Sequence, residues 1–229
     1  MKVLAIGAHP DDIEIFMLGF LLACKHRKDE IYLAIATDGA AGNLLELSGL
    51  VEIRKEETIK ALEPVGIPFF FDFPDGNLFS VPNCVKFIKN HIQTIKPDLI
   101  ITHSPEDYHS DHRALSQFVH QAAGFYCPIL YSDTLMGVNF NPDYYIDITP
   151  FFEMKCEAIL RHESQNPKKF LEATELLNRF RSAQCNCPKG HYAEAYRMDK
   201  SFPFSDIREM LPPSPGINSF YRSLSQSLI

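Results

Sequence analysis

The sequence lacks any long apolar segment. No run in its 229 residues approaches the roughly 18–20 consecutive apolar residues that a membrane-spanning helix requires. The first residues, Met1–Gly7, are followed directly by polar ones and do not form the longer apolar stretch of a secretory signal. We therefore predict a protein without a membrane span and expect a cytoplasmic location.

Basic residues are scarce relative to acidic ones. The chain has 22 Lys and Arg against 29 Asp and Glu, a formal net charge of −7, which argues against a protein that binds nucleic-acid backbones. Glycine-rich phosphate loops are missing too. The turn after the first predicted strand has no G-x-G-x-x-G, and G-x-x-x-x-G-K-[ST] occurs nowhere in the chain. A nucleotide-binding module is therefore disfavoured.

What the sequence does contain is an alternation of strand-like and helix-like segments. In the first half, strands are predicted at residues 3–7, 31–36, 68–73 and 99–103, with helices at 13–26, 51–62 and 82–95 between them. The second half is less regular, with strands predicted at 129–132, 144–148 and 192–198 and helices at 150–162 and 167–182. This order predicts an α/β fold, a Rossmann-like parallel sheet with helices on both faces.

Two polar motifs follow the first and the fourth predicted strands. The first motif, Ala8–Glu14, reads AHPDDIE, and the second, Thr102–His112, reads THSPEDYHSDH. In the common strand order 3-2-1-4, strands 1 and 4 are neighbours, and ligands bind beyond the carboxyl ends of such strands. We therefore expect both motifs to meet in one crevice, with an active site at the carboxyl ends of strands 1 and 4.

The residue types in these motifs suit a metal site. His9, Asp12 and His112 would form a two-histidine, one-carboxylate set of the kind that catalytic zinc uses with an open position. Asp11 and His109 would then be left over as titratable groups for catalysis. The plainer alternative is that the aspartates cap a helix and the histidines lie on a polar surface loop. The expected convergence of the motifs disfavours that alternative.

These motifs resemble the PIG-L/LmbE-like family of zinc-dependent de-N-acetylases, including the N-acetylglucosamine-conjugate deacetylases of bacillithiol and mycothiol synthesis. The resemblance rests on the run at residues 8–14 and on His109-x-Asp-His112. Further matches extend over about residues 1–198, at residues 37–39, Arg54 with Glu57, residues 147–149, and residues 155–165. The resemblance implies a single domain over residues 1–198, followed by a tail, residues 199–229, of unknown role.

The resemblance also implies a metal and a base. It assigns His9, Asp12 and His112 as zinc ligands, although such a site also suits Fe²⁺ or another divalent ion. It assigns Asp11 as the general base that takes a proton from the attacking water.

The remaining assignments concern the reacting amide and the sugar. The resemblance implies that His109 stabilises the tetrahedral intermediate or protonates the leaving amine, and that Asp111 orients a neighbouring imidazole. It also implies that Arg54 binds substrate hydroxyls. Tyr108 is a candidate substrate contact at a position where relatives differ.

We therefore predict a metal-dependent hydrolase that removes an N-acetyl group from an N-acetylglucosamine-type sugar or conjugate. The expected partner is this small molecule, and analogy with relatives suggests a homotrimer or homohexamer. Two alternatives stay open: a metallo-hydrolase of another amide or ester, and a metal-binding or ligand-binding protein without turnover.

Overall fold

The computed structural model describes residues 1–42 and 47–217. Residues 43–46, which lie between the predicted strand 31–36 and the predicted helix 51–62, and residues 218–229 of the predicted tail lie outside the described residues. The described chain forms a seven-stranded sheet in the order β3-β2-β1-β4-β5-β7-β6. Its strands are β1 (Lys2–Gly7), β2 (Glu30–Thr37), β3 (Phe69–Phe73), β4 (Leu99–Thr102), β5 (Ile129–Ser132), β6 (Tyr144–Asp147) and β7 (Ala193–Met198).

The order of the first four strands is the one predicted. Val3 of β1 pairs in parallel with Ile31 of β2 on one side and with Leu99 of β4 on the other. The sheet is mostly rather than wholly parallel, because β7 runs antiparallel between β5 and β6. The predicted α/β fold is confirmed, with this one reversed strand as the difference.

Helices cover both faces of the sheet. They are α1 (Asp12–Phe16), α2 (Leu18–His26), α3 (Leu50–Leu62), α4 (Cys84–Ile95), α5 (Ser110–Ala123), α6 (Phe152–Leu160) and α7 (Pro167–Gln184). Successive β1 residues face opposite sides, so Val3 joins the core beneath α1, α2, α3 and α6, whereas Leu4 joins the core beneath α4 and α5. The β1 side chains that enter the two cores are apolar on both faces of the sheet, as expected of a central parallel strand. None of the described helices has the length and apolar character needed to cross a membrane.

The predicted helix over residues 13–26 is interrupted at Met17, whose φ of −135° is not helical. The interruption is stabilised by Glu194 of β7. Its carboxylate accepts the backbone N–H groups of Gly19 and Phe20, at 2.9 and 2.8 Å, at the start of α2. The buried ammonium of Lys155 lies 2.5 Å from the same carboxylate. The break leaves α1 as a separate short helix beside the loop that follows β1.

The chain after β7 packs against the rest of the fold. Ile207 and Leu211 are buried in the core beneath α2 and α6. The Arg27 guanidinium donates to the Met210 carbonyl at 2.8 Å, and the Asp147 N–H donates to the Pro213 carbonyl at 3.0 Å. The described part of the predicted tail therefore contributes to the core.

Candidate active site and metal centre

The loops that follow β1 and β4 meet at the carboxyl edge of the sheet. The Ala8 N–H lies 3.1 Å from His103 Nε2, which joins the two loops directly. Beside them is a cavity of about 240 Å³. It is lined by His9, Asp11, Asp12, Ile15, Phe16, Ala41, Gly42, Arg54, Asp75, Gly76, Tyr108, His109, His112, Leu135, Gln165 and Phe170. The predicted site residues thus share one cavity, except Asp111, which is buried behind it.

Donor atoms of three buried residues lie close together in this cavity. His9 Nδ1 lies 3.3 Å from His112 Nε2 and 3.3 Å from Asp12 Oδ2, and His112 Nε2 lies 3.2 Å from Asp12 Oδ1. Donors arranged tetrahedrally at zinc-ligand distances are separated by about 3.3–3.4 Å. The spacing, the burial and the imidazole–carboxylate chemistry of these residues therefore fit a divalent cation.

Other polar groups hold these donors in place. Asp12 Oδ2 accepts the His9 backbone N–H at 2.6 Å, and His103 stacks on the His112 ring with centroids 3.7 Å apart. Asp107 Oδ2 lies 3.2 Å from His112 Nδ1. Burial lowers the pKa of His112, but the carboxylates of Asp12 and Asp107 outweigh it and raise that pKa to about 9. The same negative charge would attract a metal cation.

The outer nitrogen of His9 faces two further carboxylates. His9 Nε2 lies 3.1 Å from Asp75 Oδ1 and 3.4 Å from Asp111 Oδ2. Asp111 also accepts the N–H groups of Gly76 and Leu78, at 2.7 and 3.1 Å. A carboxylate on the outer nitrogen of a histidine keeps the proton there and leaves the other nitrogen free to bind a metal. Sequence reasoning missed Asp75, although it follows β3 and therefore lies at the same sheet edge.

We expect Asp75→Asn to lower the affinity for Zn²⁺ by about 10–100-fold, as is typical when a carboxylate behind a ligating histidine is lost. An amide can present its NH₂ group to His9 Nε2 and no longer attracts the imidazole proton. The measurement is a competition titration with a chelator of known affinity. Asp72→Asn is the matched control, because Asp72 lies on β3, three residues before Asp75, is exposed and pairs with Lys55. Equal affinities of the wild type and Asp75→Asn would contradict this role for Asp75.

Asp11 is buried beside the donor cluster in a strained backbone conformation, with φ at 128°. Arg54 Nη2 donates to Asp11 Oδ2 at 3.1 Å and to the Pro10 carbonyl at 2.6 Å, while Arg54 Nη1 donates to the Gly39 carbonyl at 2.8 Å. Burial raises the pKa of Asp11 to about 6, against the opposing effect of the Arg54 charge. Arg54 thus holds the turn that presents Asp11, and its predicted contact with substrate hydroxyls stays a prediction.

His109 is the N-cap of α5, and its Nδ1 accepts the backbone N–H of Asp111 at 3.2 Å. The neutral ring therefore carries its proton on Nε2. Burial lowers the pKa of His109, which favours this neutral form. A ring nitrogen of His109 lies within 4.8 Å of donor atoms of His9 and His112. Tyr108, beside it, is 60% exposed at the cavity edge.

The second half of the chain reaches the site through a short turn, Glu163–Gln165. Ser164 donates its N–H and hydroxyl to the Glu57 carboxylate at 2.9 and 2.7 Å, one helical turn from Arg54. Gln165 Nε2 donates to the Gly42 carbonyl at 3.1 Å. Of the residues that the sequence matched in this region, Gln165 lines the cavity and Ser164 binds the helix that carries Arg54.

Comparison with known proteins identifies a family for this chain. The family model described as "PIG-L: GlcNAc-PI de-N-acetylase" matches residues 4–123, just over half of the chain. The chain belongs to the PIG-L family. The matched region includes both loops that form the donor cluster, whereas Leu135, Gln165 and Phe170 of the cavity lie outside it.

Relatives of this PIG-L chain cover most of its length. It is 28% identical over 219 residues to the diacetylchitobiose deacetylase of Thermococcus kodakarensis, covering 86% of this chain and 82% of the relative. The solved N,N'-diacetylchitobiose deacetylase of Pyrococcus horikoshii has a TM-score of 0.75 at 24% identity, covering 90% and 88%. A 4-carboxy-2-hydroxymuconate hydratase from Pseudomonas putida KT2440 has a TM-score of 0.77 at 18% identity, covering 90% and 99%. The two solved structures show the fold alone, which different chemistries share.

Proposed function

We propose that this protein is a metal-dependent hydrolase that removes the acetyl group from an N-acetylglucosamine-type sugar or conjugate. The observation that supports this most directly is the buried trio of donor atoms from His9, Asp12 and His112 with the carboxylate of Asp11 beside it. Membership in a family named for de-N-acetylation and similarity to a diacetylchitobiose deacetylase point to the same reaction.

His9, Asp12 and His112 would hold the cation. Zinc is the expected ion, and Fe²⁺ also suits such a donor set. A divalent cation at this place supplies Lewis-acid chemistry, which polarises an amide carbonyl and makes a water molecule more acidic. Asp75 and Asp111, which contact His9 Nε2, would leave His9 Nδ1 free to bind the cation.

Asp11 and His109 would carry out the proton chemistry. Asp11 accepts a proton from the water whose oxygen bonds to the acetyl carbon. The Nε2–H group of His109 donates a hydrogen bond to the carbonyl oxygen as that oxygen becomes negative. When the carbon–nitrogen bond breaks, Asp11 passes its proton to the nitrogen, which leaves as an amine. The products are acetate and a free amino sugar.

Polar groups along the cavity would bind the sugar. Gln165, Asp75 and Arg54 line it, and Tyr108 lies at its exposed edge. We propose that Tyr108 contacts the sugar from the exposed rim. The Arg54 guanidinium already donates hydrogen bonds to three acceptors. It would bind the sugar only through N–H groups that these bonds do not use.

The test is acetate release from N-acetylglucosamine, N,N'-diacetylchitobiose and other N-acetylglucosamine conjugates, with the metal content measured on the same sample. We expect release from at least one of them, with loss after chelation. Hydrolysis of unrelated esters or amides with no acetate from any amino sugar would favour a different metallo-hydrolase. Bound metal without turnover of any substrate would favour a binding protein.

A further inference from the structure

The cavity has two chemically unlike walls. One wall is polar and includes Arg54, Asp75 and Gln165. The other, which we name the apolar wall, consists of the side chains of Ile15, Phe16, Leu135 and Phe170. The mechanism described above uses no residue of the apolar wall.

The apolar wall is continuous with the core of the protein. Ile15 and Phe16 are only 6% and 7% exposed, and Leu135 and Phe170 are partly buried and pack against the same cluster. The four side chains come from α1, α7 and the turn Leu135–Gly137. Separate elements of the fold therefore contribute to the wall, and each of the four side chains belongs to or packs against the core cluster.

The apolar wall also borders the metal donors. The Phe16 ring meets the His112 ring edge-on, with centroids 5.9 Å apart, and Ile15 follows Asp12 by three residues on α1. A substrate amide held at these donors has two substituents, an alkyl group on the carbonyl carbon and a hydroxylated sugar on the nitrogen. The wall offers no hydrogen-bond partner, so a sugar hydroxyl placed there would lose its bonds to water without replacement. The alkyl group has no such cost.

From this geometry we infer that the apolar wall is an acyl subsite, and that Leu135 and Phe170 limit the length of the acyl chain. The inference rests on the proposed function. A cavity of about 240 Å³ must hold both the acyl group and part of the sugar, which is small for a ligand site. The class of acyl group it fits is therefore short, with acetyl preferred to butyryl or hexanoyl.

The experiment compares N-acetyl-, N-propionyl-, N-butyryl- and N-hexanoylglucosamine, or the same series built on the best substrate of the wild type. The variants are Leu135→Ala and Phe170→Ala, with Leu176→Ala as the control, since Leu176 lies on α7 and is 56% exposed. We expect the butyryl-to-acetyl ratio of kcat/KM to rise by about 10-fold or more in the first two variants. The control and the wild type should share one ratio, and all four proteins should hold the same amount of metal.

A variant with a larger side chain in the apolar wall should leave less room for the acyl chain and change the selectivity in the opposite direction. Leu135→Phe should lower kcat/KM for the propionyl compound more than for the acetyl compound. If Leu135→Ala and Phe170→Ala instead weaken all substrates equally and leave every ratio unchanged, the wall contacts the sugar ring and the inference is wrong.

A failure of the proposed function would give a different result from a failure of the acyl-subsite inference. The wild type would then release no carboxylic acid from any compound in the series. The affinities of the wild type and of Leu135→Ala for the acetyl and butyryl compounds, measured by calorimetry, would decide the role of the wall in that case. A raised butyryl-to-acetyl affinity ratio in Leu135→Ala supports an acyl subsite, and an unchanged ratio overturns it.

Discussion

Asp11→Asn is expected to lower the rate of acetate release by about 10²–10⁴-fold, the usual contribution of a general base, while the metal content stays at the wild-type level. The amide of Asn has nearly the shape of the carboxylate but takes up no proton at neutral pH. The three donor atoms of His9, Asp12 and His112 are untouched by the change, so the metal should still bind.

The choice of Asn also keeps the fold intact. Asp11 has a φ of 128°, a region that most side chains avoid and that Asn tolerates better than most. The Asn carbonyl oxygen can still accept the hydrogen bond from Arg54 Nη2 that Asp11 accepts at 3.1 Å. A loss of activity in this variant is therefore a loss of proton transfer and not of local structure.

Asp72→Asn is the control for this experiment. Asp72 also has a positive φ, at 57°, but it is exposed and pairs only with Lys55 among the contacts described for it. The Asp72→Asn variant should retain the kcat and the metal content of the wild type. If Asp11→Asn with its full metal content hydrolysed the substrate at the wild-type rate, the general base would have to be another group.

The sequence predicted the elements that local patterns determine. The apolar run of β1, the helical spacing around α3 and the polar residues after β1 and β4 are all visible within a few residues of chain. Parallel pairing then brings His9 and His112 together, because the carboxyl ends of β1 and β4 lie side by side. The meeting of the two motifs could therefore be anticipated before any contact was known.

Features that depend on distant contacts could not be predicted in this way. The break at Met17 is stabilised by Glu194, about 175 residues further along the chain. The antiparallel β7 lies between two strands that precede it. Asp75 lies in a short turn with no sequence motif, and only its contact with His9 in the folded chain marks it as a site residue to test. In each case the contact joins parts of the chain that are far apart in the sequence, so no local pattern indicates it.

Metal removal is expected to affect both activity and stability. Chelation should reduce acetate release to background, and added Zn²⁺ should restore it. An ion that binds only the folded protein stabilises it by about 4 kcal/mol when it is present at 1,000 times its Kd. In a protein of this size 1 kcal/mol corresponds to roughly 2–4 °C in Tm. Chelation should therefore lower Tm by about 8–16 °C relative to that saturated state.

A ligand variant separates this effect from a general action of the chelator. His112→Ala removes one of the three donor atoms and leaves Asp12 and His9 without the imidazole that lies 3.2–3.3 Å from them. Its Tm should be lower than that of the saturated wild type and should hardly respond to either Zn²⁺ or chelator. Should the wild type keep its Tm and its acetate release after its metal is demonstrably gone, the cluster would not be a metal site. The carboxylate–imidazole contacts would then be ion pairs that stabilise the loops after β1 and β4.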